Sequence, residues 1–152
     1  MRTGLFLGLI IALLMANPRI SAATGGFWCQ AEDKSLKFTV HAGLSHGIGG
    51  GFLRFSGDLE IRLGGIPDDF RNLHFDETAV SQSWLDDKEF KLRLYRERET
   101  GPSGYVVVVI STKAISEGDY HGEYELSVYS MQSTETPGKS WEERGGMACL
   151  ID

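Results

Sequence analysis

The chain has 152 residues, with 15 Lys and Arg against 21 Asp and Glu and a formal charge of −6. One domain is the natural count at this length. The negative balance argues against nucleic acid, whose binding rests on neutralising phosphates with Lys and Arg, and against anionic lipid.

The N-terminal segment is a leader. A short positive start, Met1-Arg2-Thr3-Gly4, precedes a 12-residue apolar run, 5–16. A membrane-crossing helix needs about 20 such residues. Asn17-Pro18-Arg19 breaks the run, and small residues follow at Ser21-Ala22-Ala23. This is the layout of a secretory signal peptide, here residues 1–22, with Ala23 as a competing cleavage point. Arg2 and Arg19 leave with it and no acid does, so the mature domain, residues 23–152, carries −8. It is expected to enter an oxidising compartment without inserting in a membrane.

The mature chain reads as a series of short strands. Phe27-Trp28-Cys29 opens it, and Leu36, Phe38 and Val40 form a one-sided apolar face. Residues 41–51 follow as a loop with five glycines in eleven positions, Gly49 and Gly50 at its centre. Residues 53–63 alternate apolar and polar, the period of 2 of a strand with one dry face. Gly64, Gly65 and Pro67 break the pattern, a helical turn fits around residues 68–72, and 73–75 and 80–85 are weaker strand candidates. Phe90, Leu92 and Leu94 form another dry face. Residues 105–110 (YVVVVI) are apolar on both sides and β-branched, as in a central strand. Residues 120–128 alternate again, 133–146 read as a long polar hairpin loop, and 147–151 close the chain. These strands and their turns predict an all-β, single-domain antiparallel β-sandwich or small closed β-barrel of about 7–9 strands.

Two cysteines remain after the leader, Cys29 in the first strand and Cys149 in the last. In an oxidising compartment they are expected to pair as a terminal disulfide.

Several stretches carry possible chemistry. Gly43-Leu44-Ser45-His46-Gly47 spells G-x-S-x-G, which in a hydrolase presents its serine between a strand and a following helix. Here more glycines and another strand follow, and glycine starts a helix poorly. His41 and His46 flank the loop and could ligate zinc or copper, yet no Cys-x-x-Cys or His-x-x-x-His supports them. Asp68-Asp69, Asp76-Glu77 and Asp86-Asp87 sit at turns, where Asp serves hydrogen bonding. Lys91, Arg93, Arg96 and Arg98 make one basic row, read mainly as edge protection. Trp28 and Trp84 read as core or rim. Trp141, between polar neighbours, is either a folded-back lid or a contact residue. Trp141, His46, Gly49 and Gly50 are therefore the candidate binding residues, with no catalytic residue, metal or cofactor expected.

Residues 118–128 (GDYHGEYELSV) resemble the G-x-Y-x-G-x-Y-x-L-x-V strand of bacterial immunoglobulin-like sandwiches over 11 positions. The opening aromatic-Cys strand and the near-terminal second cysteine are also similar, in size, export and disulfide, to small periplasmic β-barrel inhibitors of lysozyme. The expected function is a binding or inhibitory module of the bacterial cell envelope, periplasmic or secreted, whose partner is an envelope protein or extracellular enzyme. The alternatives are a metal-binding or small hydrolytic protein using Ser45, His41 and His46, or a structural envelope component.

Overall fold

The computed structural model describes residues 25–45, 51–133 and 135–152. The expected leader, and with it the cleavage point, lies outside the described residues. Nine strands follow in order: β1 (Gly26–Glu32), β2 (Leu36–Leu44), β3 (Phe52–Ile61), β4 (Asn72–Phe75), β5 (Val80–Leu85), β6 (Glu89–Glu97), β7 (Gly104–Ser116), β8 (Asp119–Ser130) and β9 (Lys139–Ile151). One short helix, α1 (Asp68–Arg71), precedes β4, and a 3-10 turn, Glu77–Ala79, separates β4 from β5. All nine strands belong to one antiparallel sheet in the order β4-β3-β2-β1-β9-β8-β7-β6-β5.

This order forces the sheet to curl. A flat nine-stranded sheet would hold its edges eight spacings apart, about 38 Å. The edges β4 and β5 are joined by residues 76–79 alone, a link that spans no more than about 18 Å. Strand direction adds a second constraint. β1 and β9 are antiparallel, so one consecutive pair must run the same way, and β4 and β5 are the consecutive pair without a ladder. They act as two halves of one broken stave, β4 pairing with β3 and β5 with β6. The result is a curled half-barrel.

The dry faces predicted by alternation point inward and fill the curl. Phe27 of β1 meets Phe90 of β6 at a ring distance of 4.9 Å, although three strands separate them around the sheet. Phe52 and Phe55 join the same cluster. On β7, Val106, Val108 and Ile110 are fully buried, each buried aliphatic side chain stabilising by about 1.5–3 kcal/mol. Gly122 on β8 has a steric reason: a Cβ there would collide with the Ser111 carbonyl of β7. Tyr124 reaches over Gly145 to donate a 2.6 Å hydrogen bond to Asp33. Among the described residues, no buried side-chain nitrogen or oxygen lacks a partner.

Cys29 and Cys149 face each other directly across β1 and β9, with Cα atoms 4.0 Å apart, and form the disulfide. Both are buried on the inner face. The bridge spans 120 residues, and by chain entropy a loop of that size stabilises by about 4–5 kcal/mol.

Three sequence expectations change and one weak expectation is borne out. Residues 139–146 belong to β9, so the polar loop is shorter than 133–146: in cross-strand register with β8 from Lys139 onward, polar residues lie on a strand. The weak candidates 73–75 and 80–85 are both strands, and they are the sheet's edges. Leu53 leaves the dry face of β3, since the β2–β3 register shifts there and Arg54 takes φ 53°, in the left-handed region. Trp28 and Trp84 are outside the core, at 49% and 58% exposure.

Candidate functional site

The two ends of the curl differ from its outer wall. At one end, where β6 and β8 finish, Arg98 is only 12% exposed in its side chain. Its Nε donates to Asp69 Oδ2 at 2.6 Å and its Nη2 to Asp69 Oδ1 at 3.2 Å. It also donates to the carbonyls of Pro102 and Met131 and to the Ser130 hydroxyl, and it covers the Phe70 ring at 4.6 Å. The hydrogen bond from Arg98 holds the Asp69 carboxyl below its ordinary range, against the opposing effect of partial burial. Trp141 closes the same end. It lies on the inward side of β9, packs against the core, and donates its Nε1–H to Gly64 O at 3.2 Å. Lys139 Nζ sits 4.8 Å from its ring centre. Trp141 is thus held from a strand, folded back, and not presented on a loop.

The outer wall of β5 to β8 carries one exposed apolar surface; Trp28 and Leu150, opposite each other on β1 and β9, form another. β7 is apolar on both faces, as its sequence predicts, but its outward side, Tyr105, Val107 and Val109, is covered by no second layer among the described residues and is partly exposed. Tyr95, Tyr105 and Tyr129 stack along it at 5.9 and 5.5 Å. Beside them lies a groove of about 400 Å³ lined by Gln82, Ser83, Trp84, Lys91, Arg93 and Val109. The β5–β6 register sets Trp84 opposite Lys91 and Gln82 opposite Arg93. Trp84 Nε1–H donates to Asp86 at 3.3 Å, which steadies the indole while leaving its face open. Lys91 pairs with Glu89 at 2.9 Å. Arg93 donates to the Ser81 hydroxyl and makes no ion pair among the described residues. An aromatic face beside a cation suits an apolar or acidic partner.

The remaining predicted residues are dispersed. Ser45 follows β2, its N–H donating to Gly51 O, and β2 pairs with β3. Among the described residues, no helix lies between Ser45 and β3. His46, Gly49 and Gly50 lie outside the described residues. His41 stacks on Trp28 at 5.3 Å on the outer wall of β1 and β2. His74 pairs with Asp58 and His121 with Asp119. Among the described residues, no three His, Cys, Asp or Glu side chains converge as a metal site.

The acidic pairs and the basic row divide their labour. Asp76 caps the 3-10 turn and Asp86 caps the β5–β6 turn through the backbone N–H groups of Lys88 and Glu89, as turn chemistry predicts. The hydrogen bond from the Thr78 hydroxyl, and after it the Thr78 N–H, lowers the Asp76 carboxyl, and the two backbone N–H groups lower that of Asp86. Asp69 is instead the counter-ion of Arg98. Arg96 donates to His74 O at 2.6 Å, bridging β6 to β4. The basic row is therefore no single patch: Arg96 and Arg98 tie the structure together, while Lys91 and Arg93 flank the groove.

Sequence reasoning missed Trp84. A usable signal was present, because no residue of VSQSWL is charged and its hydrophobic residues do not alternate cleanly, which marks a strand without a proper dry face. Comparison with known proteins leaves the question to the residues: no protein-family model, no curated protein and no solved structure matches the chain.

Proposed function

We propose that this protein is an exported binding or inhibitory module of the bacterial cell envelope, which contacts a partner protein through the outer wall of β5 to β8. The observation that carries the reading is Trp84, 58% exposed beside Lys91, Arg93 and a row of partly exposed valines and tyrosines. Monomeric surfaces seldom keep such groups together without use, and tryptophan and arginine are enriched where binding energy concentrates. The periplasm is the proposed location, on the strength of the leader at residues 1–22 and the disulfide. We also read the curled sheet as a barrel left open along β5, which supplies the rigid wall a docking surface needs.

The experiment places a photo-cross-linker at position 84 of the exported protein in its host cell, with position 141 as the comparison. Position 84 is expected to capture one discrete partner and position 141 none. Trp84→Ala should then weaken binding of that partner by about 2 kcal/mol or more, while its melting temperature stays within about 2 °C of wild type. Capture at 141 alone, or lost stability with unchanged binding in Trp84→Ala, would reject this surface.

A further inference from the structure

The two edges of the curled sheet are treated differently. β4 has four residues, and Arg96 already donates to its His74 carbonyl from the far side of the seam. β5 has six, VSQSWL, with no charge, no proline and no neighbour on its second side among the described residues. Edge strands usually carry charge, proline or cover, because a bare edge templates pairing with another chain.

The ladder shows which groups are bare. Asp86 N–H donates to Glu89 O at 3.1 Å, so 86 and 89 form a hydrogen-bonded pair. Pairs alternate along an antiparallel ladder, which makes Trp84–Lys91 and Gln82–Arg93 hydrogen-bonded and Ser83–Leu92 and Leu85–Phe90 not. The N–H and C=O groups of Ser83 and Leu85 therefore point away from β6, toward the open side. Their side chains lie on the sheet's inward face and are nevertheless exposed, Leu85 at 37%. Across the seam, Phe52 to Ser56 of β3 has a partner only in β2, since β4 begins its pairing at Gly57.

We propose that β5 is a docking edge for an extended segment of a partner protein, added as an antiparallel strand with acidic side chains outward and apolar side chains inward. The binding reading above is its premise. Main-chain bonds to Ser83 and Leu85 provide the attachment, as in other strand-addition complexes. The outward side chains of the incoming strand fall beside Gln82 and Trp84, within reach of Lys91 and of Arg93, which lacks a carboxylate partner among the described residues. Carboxylates fit there. The inward side chains fall beside Leu85 and toward the rings of Phe52 and Phe55 at the seam, where apolar groups fit. On a chain of formal charge −6, this edge strand carries no charge of its own and has Lys91 and Arg93 behind it, with Asp86 at its turn end. That arrangement favours an acidic segment over a basic one along Gln82 to Trp84.

The test uses the synthetic peptide acetyl-(Glu-Val)₃-amide as probe and acetyl-(Lys-Val)₃-amide as its charge-reversed control, titrated into the mature protein. The acidic probe should bind at least ten-fold more tightly than the basic one, and the Ser83 and Leu85 amides should become protected from hydrogen exchange on binding. Ser83→Pro removes one outward N–H without touching a β5–β6 bond, so it should keep the fold and weaken the acidic probe at least ten-fold. Equal binding of the two peptides, unchanged exchange in wild type, or full binding by Ser83→Pro would overturn strand addition. So would a dimer of the free protein that already protects these two amides. If Ser83→Pro still binds the partner captured at position 84, strand addition fails and the wall reading stands. If Trp84→Ala also binds that partner fully, both fail.

Discussion

Trp141 and Trp84 lie in the two regions that differ most, the sealed end of the curl and the open edge of its wall. Both are tryptophans in polar sequence on strands near a turn. Trp141 is on the stretch of β9 that pairs with β8 alone, and it points inward against the core with its N–H bonded to a carbonyl. Trp84 is on β5, which has one partner, and it points outward with its N–H bonded to an exposed carboxylate. Each is on a stretch with one ladder partner, so facing makes the difference: the inward side chain is held by packing against the core, whereas the outward one is held by a single side-chain bond. The same residue type is a structural plug in one place and a presented surface in the other.

The largest expected effect is at the sealed end. Arg98→Met would leave the Asp69 carboxylate, two carbonyls and the Ser130 hydroxyl without their shared donor. Removing one partner of a largely buried pair costs about 3 kcal/mol, here discounted for the half-exposed Asp69 side chain. Urea unfolding should show that loss as a lower midpoint with the slope unchanged. A midpoint shift as small as that of Trp84→Ala would erase the distinction between the regions.

Trp141→Ala comes next, at about 2 kcal/mol, less than a fully buried aromatic because the indole is only partly buried. Trp141→Phe should recover most of the packing and isolate the bond to Gly64 O, worth about 1 kcal/mol. Thermal melts of the two variants check this. A neutral Trp141→Ala would mean that the end is closed by Arg98 alone.

The smallest effect is acidic. The folded Asp69 carboxyl is held low by Arg98, so its stabilising contribution is present above the unfolded value of about 3.9. It is lost as pH falls through the lower folded value. The stability difference between wild type and Asp69→Asn should therefore narrow as pH drops below about 4, which urea midpoints from pH 6 down to pH 2.5 would follow. A constant difference would place the interaction in the neutral hydrogen bonds and not in the charge.

Much of the fold was legible because alternation is a local property. The dry faces of β2, β6 and β8 read directly from residues 36–40, 90–94 and 120–128, and the helical turn appears as α1 at Asp68–Arg71. Polar composition misled at 139–146, where Glu142, Arg144 and their neighbours read as loop. Composition reports solvation, and a long strand whose outer face meets water is solvated too. The candidate site was the least legible part, since an edge is defined by which neighbour is missing, and the uncharged, unevenly alternating VSQSWL is only an indirect sign of it.

The sequence by itself determined that the chain is all-β and which face of most strands is dry, because the two-residue period of side chains is imposed by the backbone. It also named the two cysteines that pair, since the chain has only two. Tertiary structure alone decided that Cys29 and Cys149 stand opposite each other and that β4 and β5 form the two edges. It alone turned Trp141 inward and Trp84 outward. The physical reason is curvature: one sheet, bent until residues 76–79 can join its ends, sets by closure which strands have neighbours and which side chains water reaches.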